Sequence, residues 1–125
     1  MELAIHLSGR GTCARAQVGS VIVSSDNTRI LAVGYNGNAQ GFPNQCDTGV
    51  PGGCGCLHAE ENACIKLDFS DPCKKILYTK VSPCGMCAKR IVNARISEVV
   101  YYDKYRDLTG VSMLQVAGIP VRQFR

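Results

Sequence analysis

Lys75-Ile-Leu-Tyr-Thr, Pro83-Cys-Gly-Met-Cys-Ala and Glu98-Val-Val-Tyr-Tyr follow one another between residues 75 and 102. The first and last are short runs rich in β-branched and aromatic residues and read as strands. Cys84 to Ala94 between them reads as a helix. Working outward, Val18-Gly-Ser-Val-Ile-Val is a strand, Ser25-Asp-Asn a turn, and Arg29-Ile-Leu-Ala-Val-Gly-Tyr the hairpin partner. A helix is expected from Glu2 to Leu7. His58 to Leu67 carries helix formers, with Ala59, Ala63, Cys64 or Ile65, and Leu67 as inward candidates. A last helix around Val111 to Val116 precedes Ile119-Pro-Val-Arg-Gln-Phe, an edge strand, because proline cannot donate to a ladder. Strands alternating with helices predict an α/β layer sandwich. The stretch from Asn36 to Gly55 is dominated by glycine, proline, asparagine and cysteine, and a loop that long inside a domain is usually functional.

With 125 residues, 46% hydrophobic and 19% charged, the chain has the size and balance of one domain over residues 1–125. No apolar run is long enough to span a bilayer and none follows a basic start, so a soluble, cytoplasmic protein is expected. A net charge of +4 reads as a solvated surface with a slight cationic excess rather than a nucleic-acid footprint. Eight cysteines say more. In a reducing compartment they serve metals, catalysis or packing, and metal comes first.

His58-Ala59-Glu60 and Pro83-Cys84-Gly85-Met86-Cys87 each stand at the start of a helix. One imidazole and two thiolates are three ligands, the set a catalytic zinc uses when its fourth position holds water. Cys84 and Cys87 can chelate one ion from a first helical turn, where the helix terminus favours thiolates. Glu60 lies roughly 200° round an ideal helix from His58 and mid-helix would face the other way, but in the first turn both reach an ion off the helix end, which leaves Glu60 beside the bound water rather than on the metal. Its expected role is proton transfer, from the water to the substrate ring nitrogen and the leaving amine. A lone Cys-x-x-Cys could be a redox pair or half a structural zinc site. His-x-Glu ahead of Pro-Cys-x-x-Cys is the signature of zinc nucleobase deaminases. Glu61, about 100° further round, reads as a solvated acid in the first turn.

On these residues the chain resembles the cytidine and deoxycytidylate deaminase superfamily, and within it the deoxycytidylate (dCMP) deaminases, over nearly its whole length. Thr12-Cys-Ala-Arg-Ala-Gln-Val-Gly-Ser-Val-Ile-Val, Gly34-Tyr-Asn-Gly, Asp103-Lys-Tyr-Arg-Asp and Val116-Ala-Gly-Ile-Pro-Val-Arg carry the resemblance beside the zinc motifs. It implies a cytidine deaminase-like three-layer α/β/α sandwich with a central five-stranded mixed sheet. It also implies hydrolytic deamination, in which zinc-bound hydroxide attacks C4 of cytosine, Glu60 shuttles protons, and ammonia leaves dUMP. Asn36 would contact the sugar or base, and Tyr105, helped by Arg15, Lys80 or Lys104, the 5′-phosphate. Relatives are commonly homo-oligomers, from dimers to hexamers, and dCTP and dTTP are the implied effectors. Ala39 stands where family members commonly carry proline, which leaves a 5-substituted dCMP as an alternative substrate.

The resemblance further implies a second, structural zinc in some members, and Cys13, Cys46 and Cys54 match its ligand places, with Cys56 able by spacing to complete four thiolates. Such a site would stabilise an ordered loop that has few large apolar anchors. Cys64, Cys73 and His6 read as packing or structural residues. Two other functions compete. One is a nucleic-acid editing deaminase similar to the tRNA adenosine deaminases, which needs an open basic groove for a flipped base. The other is a zinc-stabilised binding domain without catalysis, against which an intact Glu60 argues.

Overall fold

The expected hairpin forms from β1 (Gly19–Ser24) and β2 (Ile30–Tyr35), which pair antiparallel. In this computed structural model, which describes residues 1–13, 16–43 and 55–124, its turn is organised by Asp26. The Asp26 carboxylate accepts the Ser24 hydroxyl at 2.7 Å, the Thr28 hydroxyl at 2.7 Å and the Thr28 N–H at 3.1 Å. Those donors, Ser24 foremost, draw its pKa down to about 2. Asn27 takes a φ of 60°, which asparagine tolerates better than most residues.

The other three strands are β3 (Lys75–Val81), β4 (Glu98–Asp103) and β5 (Val121–Gln123). The sheet order is β2-β1-β3-β4-β5, with β3 antiparallel to β1, and β4 and β5 each parallel to the strand before it. Parallel neighbours need a crossover. Helix α3 (Gly85–Asn93) supplies it between β3 and β4, and α4 (Thr109–Val116) between β4 and β5. The edge position of β5 is as expected, though the strand is three residues long. Pro120 enters the ladder only as an acceptor, taking the Val99 N–H at 3.0 Å.

Helix α1 (Glu2–Ser8) and helix α2 (Ala59–Ile65) complete the chain of elements. α2 stops before the expected Leu67, because the N–H groups of Lys66 and Leu67 turn back to the carbonyls three residues earlier. α4 starts two residues earlier than expected, where Asp107 takes the N–H and hydroxyl of Thr109 at 2.9 and 2.6 Å.

Alternation along β1 separates the two faces. Ile22 pairs across to Ala32 and Leu77, and Leu77 to Val99, so all four share a face. There they pack with Ala63, Ala88, Ile91 and Leu114 from α2, α3 and α4. A Cβ on Gly34, which lies on the same face opposite Ser20, would run into the α2 backbone at Ala59 and Ala63. Gly19 has the other parity, and a Cβ there would strike the α1 backbone at Ala4 and Ser8. Thus α1 covers one face and α2, α3 and α4 the other, a three-layer α/β/α sandwich on a mixed five-stranded sheet. Of the inward candidates, Ala59 and Ala63 are fully buried and Cys64 and Leu67 pack against the core, whereas Ile65 is 71% exposed.

Strand directions explain why distant motifs meet. β2 and β3 both oppose β1, so β2, β3 and β4 run the same way. The segments after their C-terminal ends, Asn36, then Ser82 to Cys84, then Lys104 to Arg106, therefore emerge at one end of the sheet. The carboxyl ends of parallel strands are the usual place for ligand sites in α/β folds.

Candidate metal centre

Three local arrangements bring the ligands together. Gly37 and Leu57 exchange backbone hydrogen bonds of 3.0 and 2.7 Å, which ties the segment after β2 to the residue preceding His58. Asn62 of α2 donates to the Tyr35 carbonyl at 2.9 Å, fixing the helix on β2. His58 then stands as the extended N-cap of α2, and Cys84 as the extended N-cap of α3 with Cys87 in that helix's first turn.

The ligand atoms of His58, Cys84 and Cys87 lie within 4.8 Å of one another. His58 Nδ1 is 3.2 Å from Cys87 Sγ and 3.6 Å from Cys84 Sγ. With Zn–N near 2.05 Å and Zn–S near 2.3 Å, tetrahedral coordination places nitrogen and sulfur about 3.6 Å apart. One imidazole and two thiols at this spacing therefore fit zinc in both geometry and donor type. Among the described residues this is the one group of three or more such side chains that could hold a metal.

The electrostatics distinguish four groups. Cys84 is pulled down to about 3, chiefly by the hydrogen bond from Cys87 and then by that with His58, so it is the readiest thiolate. Cys87 is pushed upward, first because it donates to Cys84 and second because it is buried. His58 is raised to about 8, mainly by its bond to Cys84. Glu60 is raised to about 7, because burial of a side chain left 5% exposed outweighs the favourable backbone, His58 and Cys87 interactions. A carboxyl poised there can both take and give a proton near neutral pH.

Glu60, His58 and Cys84 share the wall of a cavity of about 650 Å³ with Asn36, Tyr105 and Arg106. Asn36 is 6% exposed and braces the wall: its Oδ1 accepts the Val18 N–H at 2.9 Å and its Nδ2 donates to the Ala16 carbonyl at 2.6 Å. Among the described residues these are the amide's hydrogen bonds, and a second amide proton and a second lone pair can serve a ligand. Tyr105 is seated by its backbone N–H, which donates to the buried Ser82 hydroxyl at 2.7 Å. Lys80 and Lys104 are not part of the wall, and Lys80 Nζ reaches toward the Gln17 carbonyl at 3.5 Å. Arg15 lies outside the described residues. Arg106, which the sequence reading passed over, has its guanidinium 5.8 Å from the Tyr105 ring centroid. Its signal was its place beside Tyr105 in the Asp103–Asp107 segment.

Of the cysteines considered for a second zinc, Cys13 and Cys56 are buried and both line this cavity. Cys46 and Cys54 lie outside the described residues. Burial pushes the Cys64 thiol up to about 12, as befits a packing residue. Cys73 is half-buried, and His6 is exposed in the last turn of α1.

The expectation for Glu61 is corrected. Its side chain is 13% exposed, and it pairs with Arg90 instead of facing water. Arg90 is 29 positions further along the sequence, so only the packing of α3 beside α2 brings the cation there.

Comparison with known proteins adds three findings. A family model described as the cytidine and deoxycytidylate deaminase zinc-binding region matches residues 1–103. The deoxycytidylate deaminase of Schizosaccharomyces pombe is 36% identical over 99% of this chain and 42% of its own length. That of Homo sapiens is 34% identical over 99% of this chain and 76% of its own. The chain thus spans less than half of the yeast relative. Among solved structures, the dCMP deaminase of cyanophage S-TIM5 in complex with dCMP and dUMP superposes with a TM-score of 0.87. It is 34% identical, with 98% of this chain and 92% of that chain covered. No helix among the described residues is long and apolar enough to cross a membrane.

Proposed function

From the premise that the chain belongs to the cytidine and deoxycytidylate deaminase family, we propose that it hydrolyses dCMP to dUMP and ammonia with zinc held by His58, Cys84 and Cys87. The observation that carries this reading is the buried Glu60 in the same cavity wall as His58 and Cys84. A purely structural metal site has no use for a buried acid poised near neutrality. Support for the substrate comes from the cyanophage relative, which was solved with dCMP and dUMP.

When bound, zinc supplies the Lewis acidity that makes a water nucleophilic near pH 7. Glu60 takes one proton from the attacking water and delivers it to N3 of cytosine as the C4–O bond forms. It then carries the second proton from the new C4 hydroxyl to the amino group. The C4–N bond breaks, ammonia leaves, and the carbonyl of dUMP remains. Both protons come from the water, so one carboxyl suffices. Asn36 is assigned to the sugar or base, and Tyr105 with Arg106 to the 5′-phosphate. Among the described residues of the wall, Arg106 is the side chain with a permanent positive charge.

The same reading treats residues 1–125 as one deaminase domain, supported by a core that spans β1 to α4. It places the protein in the cytoplasm, where thiolate ligands stay reduced. It also includes a homo-oligomer, for which exposed Ile65, Met86 and Val116 offer apolar surface. Zinc-loaded protein should release ammonia from dCMP and far less from deoxycytidine. Glu60→Gln should keep zinc and lose at least about a hundredfold in rate. Equal rates on the two substrates would remove the phosphate assignment, and an active Glu60→Gln would remove the proton shuttle.

A further inference from the structure

The carboxylate of Glu61 makes two contacts that point in different directions. Its Oε1 accepts the backbone N–H of His58 at 3.0 Å, one half of a capping box. Its Oε2 receives Arg90 Nε from α3 at 2.9 Å. Glu61 lies three residues beyond His58 on α2, and Arg90 lies three residues beyond Cys87 on α3. Each is just under one turn from a ligand. The two helices are therefore joined twice, once through the ligand cluster and once through a carboxylate that also holds the backbone of the histidine ligand.

We propose that the Glu61–Arg90 pair is a clasp that positions His58 against Cys84 and Cys87 and so governs how tightly and how long the metal is retained. It rests on the zinc reading above but not on the identity of the nucleotide. Glu61 is a positioning residue, acting through His58.

The physical case is one of geometry more than of pair energy. An ion pair whose arginine is 41% exposed is worth little as a stability term. A metal site, however, tolerates ligand errors of only about 0.2 Å. A cluster joined at one point can pivot, and a second attachment one turn away removes that freedom. The Glu61 side chain is 13% exposed, so water competes poorly for its oxygens. Outer groups that orient ligands in this way typically change metal affinity by about 10–100-fold when lost.

The test measures zinc release from the full chain into excess chromophoric chelator, for wild type, Glu61→Gln, Glu61→Ala, Arg90→Ala, Arg90→Lys and the Glu61→Ala/Arg90→Ala double variant. Release should be about tenfold faster in Glu61→Ala and Arg90→Ala, with the isosteric Glu61→Gln and the charge-keeping Arg90→Lys in between. The double variant should release zinc no faster than Glu61→Ala, because losing the Glu61 carboxylate already breaks the contact that Arg90→Ala breaks. Thermal unfolding of the zinc-free forms separates positioning from plain stability. The clasp predicts midpoints within a few degrees of wild type without metal and a larger deficit with it. Release rates within twofold of wild type in either alanine variant, multiplicative effects in the double variant, or equal deficits with and without zinc would each overturn the proposal. A wild-type protein that binds no zinc would instead sink the zinc reading, and the clasp with it.

Discussion

Replacing Gly34 by alanine tests how closely the sheet and the metal centre are coupled. An added Cβ would stand 2.5 Å from the Ala59 carbonyl oxygen and 2.6 Å from the Ala63 nitrogen. Against the 3.4 Å at which ordinary contact begins, the shortfall is about 0.9 Å. Both obstacles are backbone atoms of α2, so no rotamer change relieves them. β2 lies at one edge of the sheet and α2 packs on it, so the helix must lift or the strand must retreat. Lifting α2 by that distance carries His58 away from Cys84 and Cys87, several times the roughly 0.2 Å a zinc site tolerates. It also stretches the 2.9 Å bond from Asn62 to the Tyr35 carbonyl. Overpacking of this kind costs about 1–3 kcal/mol, a fall in Tm of roughly 4–12 °C for a chain of this size. Misplacing the reacting groups by near 1 Å costs on the order of a hundredfold in rate. The assays are differential scanning calorimetry, zinc release into chelator and ammonia production, with Gly9→Ala as control, where the new Cβ meets only the His6 carbonyl at 3.4 Å. A Gly34→Ala protein with wild-type Tm and zinc retention would refute the claim that β2 sets the position of α2.

Two other perturbations address the cavity and the packing thiol. Arg106→Gln should raise KM for dCMP by about 10–100-fold, the range expected for losing charged hydrogen bonds to an anion, and leave turnover of deoxycytidine unchanged; an unaltered KM for dCMP would remove Arg106 from the phosphate end. At pH 8, Cys64 should react with iodoacetamide at least about a hundredfold more slowly in the folded protein than in urea, because its thiolate is scarce. Its pKa is raised from 9.0 to about 12, so its contribution to stability is complete below pH 9 and is lost as pH rises through about 12. Peptide mass spectrometry reads the labelling, and equal rates in both states would contradict its burial.

The candidate metal ligands were legible in the sequence because metal-binding chemistry admits few residue types at short spacings. His58, Cys84 and Cys87 needed no tertiary information to be grouped, and Glu60 followed from its place two positions after the histidine. The strands were legible from β-branched runs, and the start of α4 moved two residues earlier because the Asp107 side chain captured the turn at Thr109. Glu61 was misread because its partner is remote. An acid in a first helical turn has a sufficient local explanation, and nothing local announces an arginine on another helix. Lys104 and Arg106 are two positions apart and equally basic, as is the more distant Lys80, yet of the three only Arg106 reaches the cavity wall.

By itself, then, the sequence determined the donor set, the acid beside it and the alternation of strands and helices, all of which depend on residue type and on separations of a few positions. Tertiary structure alone decided which face α1 covers, that the segments after β2, β3 and β4 emerge at one end, and which charges stand around His58. Those outcomes depend on strand direction and on the close approach that Gly19 and Gly34 permit. Contacts between residues tens of positions apart are set by packing of the whole chain, and no short stretch carries them.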